Sequence, residues 1–283
     1  MKSTKATIVC ADCLDWMRSQ PSQSVDLTFG SPPYETARTY GIGFNLRGQE
    51  WVDWMVVRIR EMLRITKGLV AMVVEGQTRQ YRWSATPALL MADLHRAGIT
   101  LRKPPIYSRV GIPGSGGPDW LANRYEFIVC CTNGGKLPWS DNTAMGHPPK
   151  YSPGGAVSNR TRSGERINGR SSSHGSATRF KYSASKPYPK LANPGNIINC
   201  GAVGGGNIGS KTAHENEAPF PEKLAGFFIK SFCPEGGVVL DPFVGSGTTA
   251  KVALSCGRNA IGVDCREDQC QISKRRINEI QAN

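Results

Sequence analysis

The chain has 283 residues, of which 39% are hydrophobic and 8% aromatic, enough for one large α/β domain or a core that carries an inserted module. Thirty-five Lys and Arg residues against 22 Asp and Glu give a formal net charge of +13. This charge predicts a polyanionic partner, and nucleic acid is favoured over a membrane surface because no basic amphipathic helix stands out. No apolar run is long enough to cross a bilayer, and the first residues lack the apolar stretch of a signal peptide, so we expect a cytoplasmic protein.

The first half of the chain alternates predicted strands with predicted helices. The strands are 7–10, 25–29, 69–74, 106–110 and 125–132, and the helices are a segment with Leu14 and Met17, 52–63 and 86–97. The polar, glycine-rich stretch 34–49 is expected to be a loop. Strands that are apolar on both faces and alternate with helices predict a mostly parallel sheet with helices on both sides.

The predicted strand 25–29 ends at Ser31-Pro32-Pro33-Tyr34. Two prolines keep the backbone extended and leave its carbonyls able to accept hydrogen bonds from a ligand. A hydroxyl before them and an aromatic ring after them suit an extruded nucleobase, which is held by hydrogen bonds at its edge and by stacking on its face. The alternative is a Pro-Pro turn that simply ends an ordinary strand.

The nine cysteines are expected to be reduced thiols in an intracellular protein. Cys10 and Cys13 form a CxxC pair, but Cys265 and Cys270 do not have the spacing of a second zinc-binding pair. The sequence therefore predicts no metal site.

Residues 134–195 differ in composition from the rest of the chain. They contain ten Lys and Arg residues against two acidic ones, many Ser, Gly and Pro, and interspersed aromatic residues. A flexible linker would share the Gly and Ser content. The concentrated positive charge with aromatic residues favours a nucleic-acid contact surface that orders partly on binding.

A second motif follows in the C-terminal part, where 221–232 and 250–256 are predicted helices and 238–240 and 259–263 predicted strands. Asp241-Pro242-Phe243-Val244-Gly245-Ser246-Gly247-Thr248-Thr249 joins a strand to a helix, the setting of a nucleotide-type cofactor loop. The spacing matches neither GxGxxG nor GK[ST], which disfavours NAD and ATP. Asp264, at the end of the next strand, is placed to hold ribose hydroxyls, unless it only caps the following helix.

Together these motifs resemble those of a known family. Ser31-Pro32-Pro33-Tyr34 resembles the catalytic motif of DNA amino-methyltransferases, and Asp241–Thr248 resembles their S-adenosylmethionine-binding loop. Because the catalytic motif comes first, the chain is similar to the circularly permuted β group. Ala11-Asp12-Cys13, the stretch from His214 to Leu224, and Arg124–Val129 are similar to further elements of that group.

The resemblance implies an α/β, Rossmann-like methyltransferase fold with an irregular basic insert. Residues 1–133 would form the catalytic half, 134–195 the target-recognition insert and 196–283 the cofactor-binding half. The cofactor S-adenosylmethionine would be bound by Asp12, His214, Phe220, Asp241, Phe243, Gly245, Gly247, Thr248 and Asp264. The flipped base would stack on Tyr34, with its amino group donating to Ser31 Oγ and the Pro32 carbonyl, while Pro33 completes the motif. Double-stranded DNA would contact Lys150, Arg160, Arg162, Arg166, Arg170, Arg179 and Lys181.

The resemblance leaves several alternatives open. Serine at position 31 is more common among cytosine-N4 enzymes, whereas adenine-N6 members usually have Asp or Asn there, so cytosine N4 is favoured. A catalytically silent nucleic-acid-binding protein would keep the fold but has no reason to keep all the motifs. A small-molecule methyltransferase is disfavoured by the basic insert. We expect a monomer or homodimer in a bacterial or phage-infected cell, near the nucleoid, acting alone or with a cognate restriction endonuclease.

Overall fold

The computed structural model describes residues 4–35, 43–109, 116–149, 157–160, 166–169, 190–200 and 220–281, with the backbone alone for 157–160, 166–169 and 280–281. The chain forms two compact units: Met1–Ala144 together with Gly195–Asn283, and Met145–Pro194. The first unit contains both motifs of the predicted active site.

The strands are β1 (Ala6–Cys10), β2 (Val25–Gly30), β3 (Thr66–Val74), β4 (Thr78–Arg79), β5 (Arg82–Trp83), β6 (Thr100–Arg102), β7 (Ile106–Ser108), β8 (Tyr125–Thr132), β9 (Val157–Arg160), β10 (Arg166–Gly169), β11 (Ile197–Asn199), β12 (Val238–Asp241) and β13 (Asn259–Asp264). The helices are α1 (Cys13–Ser19), α2 (Gly48–Ile65), α3 (Thr86–Arg96), α4 (Glu222–Phe232), α5 (Thr248–Ser255) and α6 (Glu267–Gln281). Among these described helices, none combines the length and the apolar character that a membrane span requires.

Nine strands of the first unit form one sheet in the order β1-β13-β12-β2-β3-β8-β7-β11, with β6 also paired to β8. The first five strands in this order, β1, β13, β12, β2 and β3, run parallel to one another, as predicted. β8 is antiparallel to β3, β6 and β7, which the sequence did not indicate. An apolar run shows that both faces of a strand are buried, but it does not show the direction of the strand.

Helices cover both faces of this sheet. On one face, Phe228 of α4 and Ala253 of α5 are fully buried in a core that includes Phe29 of β2. On the other face, Met17 of α1 and Met55 of α2 are fully buried in a second core, together with residues of α3. The sheet with helices on both sides agrees with the predicted Rossmann-like class.

β2 and β12 are neighbours in the sheet although about 200 residues separate them. Leu27 pairs with Val239 and Thr28 with Leu240, both in parallel register. The carboxyl ends of adjacent parallel strands lie at the same edge of a sheet, where open α/β sheets bind their ligands. The loops that follow β2 and β12 are therefore brought together at that edge.

The second unit contains two short strands within residues 134–195, the insert that was expected to be irregular. β9 and β10 pair antiparallel, with Arg160 opposite Arg166, and His147 bridges to Ala192. Five of the predicted DNA-contacting residues lie outside the described residues: Lys150, Arg162, Arg170, Arg179 and Lys181. Arg160 and Arg166 are placed by their backbone only.

Five elements of the first unit were not predicted. They are the short strands β4, β5, β6 and β11 and the helix α6, while the predicted strand 106–110 is shorter, ending at Ser108. β6 and β11 have three residues each, too few to show a period of two. α6 buries six of its described side chains on one face, but three of them are polar (Gln269, Ser273 and Arg276), so the sequence shows no evident apolar stripe.

Candidate active site

A cavity of about 190 Å³ opens in the first unit where the loops after β2 and β12 meet. Ser31, Pro32 and Pro33 line it from the end of β2. The loop after β12 contributes Phe243, Gly245 and Thr248, and Asp12, Phe220 and Asp264 complete the predicted residues in its wall. The two sequence motifs thus form one site. His214, a further predicted cofactor residue, lies outside the described residues.

Asp241 shapes the loop after β12 and is itself buried beneath it. Its Oδ1 accepts a hydrogen bond from the Phe243 N–H at 3.0 Å, and its Oδ2 accepts one from the Thr249 hydroxyl at 2.6 Å. Burial raises the pKa of Asp241 to about 7, against the opposing effect of these hydrogen bonds. A Cβ at Gly30 would lie 2.2 Å from Asp241 Oδ1, so the strand β2 needs glycine at this position.

Helix α6 supports the same loop from its other side. Gly247 has φ +82°, and a Cβ there would lie 2.9 Å from Ser273 Oγ, so glycine is required for both reasons. Ser273 Oγ donates to the Gly245 carbonyl at 2.5 Å. The fully buried Arg276 donates to the Ser246 carbonyl at 2.7 Å. These polar side chains of α6 were not predicted as part of the site.

Two aspartates, Asp12 just after β1 and Asp264 at the end of the adjacent parallel strand β13, line the cavity, each fixed by its neighbours. Asp12 Oδ1 accepts the Leu14 N–H at 2.7 Å and caps α1, while Oδ2 lies 3.3 Å from Arg58 Nη2. Asp264 Oδ2 accepts the Gly245 N–H at 3.0 Å, and Oδ1 accepts the Arg266 N–H at 2.9 Å. Asp264 therefore caps the chain after β13 and also ties β13 to the glycine loop.

An aromatic wall on α2 completes the cavity and was not predicted. The Trp54 ring lies 5.8 Å from that of Phe243 and 5.2 Å from that of Phe44, centroid to centroid. The Arg58 guanidinium lies 3.9 Å from the centre of the Trp54 ring, a cation–π contact. The sequence carried one signal for it: Arg58 interrupts the apolar face of α2, one turn after Trp54.

The Ser31–Tyr34 segment is held on both sides of the sheet. The Pro33 carbonyl accepts a hydrogen bond from Trp51 Nε1 at 2.8 Å. The Tyr34 hydroxyl donates to Glu126 Oε2 at 2.7 Å, and Glu126 Oε1 lies 2.5 Å from Arg109 Nη1. Glu126 is a buried acid in the otherwise apolar strand β8, and that exception is the signal by which the sequence could have identified it.

Unsatisfied polar atoms gather beside Tyr34. Of the six buried side-chain atoms without a hydrogen-bond partner among the described residues, three are Glu75 Oε2, Tyr107 Oη and Arg109 Nε. β-sheet pairing places Tyr107 opposite Glu126, and Glu75 directly follows β3, whose last pair is Val74 with Phe127. Burial, with the nearby Glu126 charge, raises the pKa of Glu75 to about 7. Buried groups of this kind normally have partners, so this cluster is an exception, and none of its three residues lines the cavity.

The nine cysteines are free thiols. Cys10 of the CxxC pair is exposed and Cys13 is buried, and burial raises the pKa of Cys13 to about 12. Cys13 and Cys265 line the cavity beside the two aspartates.

The fold and site define the class of protein: an α/β enzyme with a Ser-Pro-Pro-Tyr segment and a glycine loop around one cavity. The DNA methylase family model N6_N4_Mtase matches residues 25–275, and the chain belongs to this family. It is therefore a DNA amino-methyltransferase that uses S-adenosylmethionine as its methyl donor, in agreement with the resemblance seen in the sequence.

Named relatives and solved structures agree with this assignment. The orphan methyltransferase M.BamHII of Bacillus amyloliquefaciens is 30% identical over 267 residues, covering 90% of this chain and 89% of its own length. The DNA adenine methyltransferase YhdJ of Escherichia coli is 24% identical over 96% of this chain and 82% of its own. The structure of the cytosine-N4-specific PvuII DNA methyltransferase matches with a TM-score of 0.69 at 17% identity, over 97% of this chain and 86% of its own.

Proposed function

We propose that this enzyme transfers the methyl group of S-adenosylmethionine to N4 of a cytosine that is flipped out of double-stranded DNA. One observation carries the proposal: Ser31 and Pro32, the expected acceptors of the amino group, line the same cavity as the glycine loop after β12. Donor and acceptor of the methyl group can therefore meet within one site.

The residues around the cavity fit S-adenosylmethionine. Trp54 and Phe243 offer aromatic faces to its adenine ring, and the loop at Gly245 lets the ligand approach the backbone. The carboxylate of Asp264 suits the ribose hydroxyls, and Asp12 with Arg58 suits the charged amino-acid end. When bound, this cofactor supplies an electrophilic methyl group on a sulfonium.

The chemical difficulty lies in the acceptor, because the amino lone pair of cytosine is delocalised into the ring. Ser31 Oγ and the Pro32 carbonyl accept hydrogen bonds from the two amino hydrogens and favour a pyramidal nitrogen. The lone pair is then directed at the methyl group, and this stabilisation is specific to the transition state. Tyr34 stacks on the ring, held in place through its bond to Glu126.

The choice of cytosine rests on Ser31 and on the unsatisfied atoms beside Tyr34. Cytosine has two ring-side acceptors next to its amino group, N3 and O2, whereas adenine has only N1 on that edge. Arg109 Nε is a donor without a partner in the described part of the chain. Glu75, with its pKa raised to about 7, supplies a second donor when protonated. Two donors would suit cytosine better than adenine if both faced the edge of a base stacked on Tyr34.

Adenine N6 is the second candidate, and the relatives favour it in part. The E. coli relative is named a DNA adenine methyltransferase, while the PvuII enzyme is named cytosine-N4-specific. Both bases have an exocyclic amino group, and either ring could fit beside Ser31 and the Pro32 carbonyl.

DNA contact is assigned in this proposal to the basic segment 134–195, acting as a target-recognition insert between the two halves 1–133 and 196–283 of the core. Its ten Lys and Arg residues against two acids support phosphate binding. The seven residues proposed for this role are Lys150, Arg160, Arg162, Arg166, Arg170, Arg179 and Lys181.

A methyl-transfer assay tests the proposal. Purified protein is incubated with S-adenosylmethionine and unmethylated DNA, and the DNA is digested to nucleosides for mass spectrometry. N4-methylcytosine is the expected product, whereas N6-methyladenine would keep the mechanism and overturn the choice of base. In the Tyr34→Ala variant methylation should collapse while duplex binding survives; unchanged methylation would contradict the assigned site.

A further inference from the structure

An exposed hairpin lies directly beside the Ser31–Tyr34 segment. β4 and β5 pair antiparallel, with Thr78 opposite Trp83 and Arg79 opposite Arg82. The two residues between them, Gln80 and Tyr81, have φ +48° and +63°, the geometry of a tight two-residue turn that glycine or asparagine normally occupies. A tyrosine in a backbone conformation that disfavours it indicates a functional role for its side chain.

Apolar side chains are concentrated on this hairpin and on one neighbouring loop. Of the eight large apolar side chains that the described residues expose, five lie within residues 81–83 and 120–125. Four of them, Tyr81, Trp83, Trp120 and Leu121, are here called the wedge surface. Tyr81 is 72% exposed and Leu121 93%. Scattered exposed apolar residues need no explanation, but a group this concentrated marks an interaction surface.

The wedge surface is held in a fixed position. The rings of Tyr81 and Trp120 meet edge to face, with centroids 5.5 Å apart. The Trp120 ring lies over Gly117, where a Cβ would come within 2.3 Å of it. The hairpin and the loop therefore support one another rather than project separately.

Hydrogen bonds connect the hairpin to the residue after Tyr34. Gln77, at the base of the hairpin, donates its N–H to Glu35 Oε1 at 3.4 Å and to Ser84 Oγ at 3.0 Å. Glu35 is buried, and its Oε2 accepts the Gly48 N–H at 2.8 Å. The base of the hairpin that carries Tyr81 and Trp83 is thus connected to the residue that follows Tyr34, on which the flipped base is proposed to stack.

We infer that the wedge surface contacts the DNA duplex at the target site and that Tyr81 or Leu121 enters the base stack to occupy the space left by the flipped base. The inference rests on the proposed transfer to a flipped base. Residues 76–84 carry two arginines and no acidic residue, so their charge suits a phosphate backbone rather than a second copy of this basic chain. Apolar side chains that enter a base step stabilise unstacked DNA in other proteins.

Methylation of two synthetic duplexes tests the inference, once the methylated sequence has been identified on genomic DNA. One duplex is fully paired, and in the other the target base faces an abasic site, so that it is already unstacked. The variants are Tyr81→Asn, which suits the turn geometry, and Leu121→Ala. The matched control is Ile197→Ala in β11, since Ile197 is 69% exposed but lies outside the wedge surface.

We expect kcat/KM on the paired duplex to fall about tenfold or more in both variants, the size of a lost base-stacking contact. On the abasic duplex the loss should be less than about threefold, and Ile197→Ala should resemble the parent enzyme on both. Equal losses on the two duplexes, or no loss on either, would overturn the inference. A parent dimer that the variants convert to monomers would instead assign the surface to a second copy of the chain.

A crosslinking experiment separates this inference from the proposed function. A photoreactive phenylalanine analogue is placed at position 81 and, as the control, at position 197 of the full-length protein. Crosslinks to duplex DNA from position 81 but not 197 would support the wedge surface even if no methylated base were found. Absence of crosslinks at 81 in an enzyme that methylates DNA would reject the wedge surface and leave the proposed function intact.

Discussion

The hydrogen bond between Tyr34 and Glu126 offers a sharp test of how the active site holds its aromatic ring. Tyr34→Phe keeps the ring and removes only the hydroxyl, which donates to Glu126 Oε2 at 2.7 Å. Glu126 is 5% exposed, so water does not readily replace the lost donor, and Arg109 still binds Oε1. A hydrogen bond to a buried charged group contributes about 1.5–3 kcal/mol, so we expect a loss of about 2 kcal/mol in unfolding free energy.

The same variant should methylate DNA more slowly. A ring free to turn no longer aligns the base, and we expect kcat to fall about tenfold, while S-adenosylmethionine binding, measured by calorimetry, stays unchanged. Tyr125→Phe is the matched control, since it removes one hydroxyl from a half-exposed tyrosine on the same strand as Glu126. If Tyr34→Phe retained the stability and kcat of the parent enzyme, Glu126 would have no part in positioning the ring.

Three further predictions concern the cofactor side of the cavity. The folded-state pKa of Asp241 is raised from 3.8 to about 7, so the folded protein holds this proton more strongly than the unfolded chain does. The unfolding free energy should therefore fall by up to about 4 kcal/mol between pH 4 and 7. In urea titrations, Asp241→Asn should remove this contribution to the pH dependence of the unfolding free energy. Gly30→Ala would place a Cβ 2.2 Å from Asp241 Oδ1 and should cost about 1–3 kcal/mol, whereas Gly226→Ala, whose Cβ meets only ordinary contacts at 3.6 Å, should not destabilise the protein. Arg58→Met removes the ion pair with Asp12 and the cation–π contact with Trp54, and should weaken S-adenosylmethionine binding about tenfold in calorimetry without a change in DNA affinity.

The resemblance to DNA amino-methyltransferases implied that the two motifs serve one active site, and simple rules explain why they meet in the fold. Each motif directly follows an apolar run, and the carboxyl ends of adjacent parallel strands share one edge of the sheet. Residues 31–34 and 241–249 therefore had to meet if β2 and β12 were neighbours, whatever their distance along the chain. The order of motifs along the chain does not change this geometry.

The residues that support the motifs could not be predicted in the same way. Ser273 and Arg276 are polar residues on a polar helix, and only the folded structure shows that they face the glycine loop. Trp54 was not predicted because α2 was interpreted as an ordinary amphipathic helix. The apolar stripe of such a helix does not show which of its turns lies beside a cavity. Such contacts depend on where an element ends and how it is rotated, to within less than one turn.

Separate sets of side chains support the cofactor loop and the ring of Tyr34. The cofactor loop is held by Asp241 below and by Arg276 of α6 behind it, on the side of the sheet edge formed by β12 and β13. Tyr34 is held by Glu126 on β8, on the other side of β2. Because the hydrogen bonds named here for the two sets have no residue in common, changes in one set should alter cofactor affinity and changes in the other should alter kcat on DNA. Their free-energy effects should then add in double variants, as expected for sites without common partners.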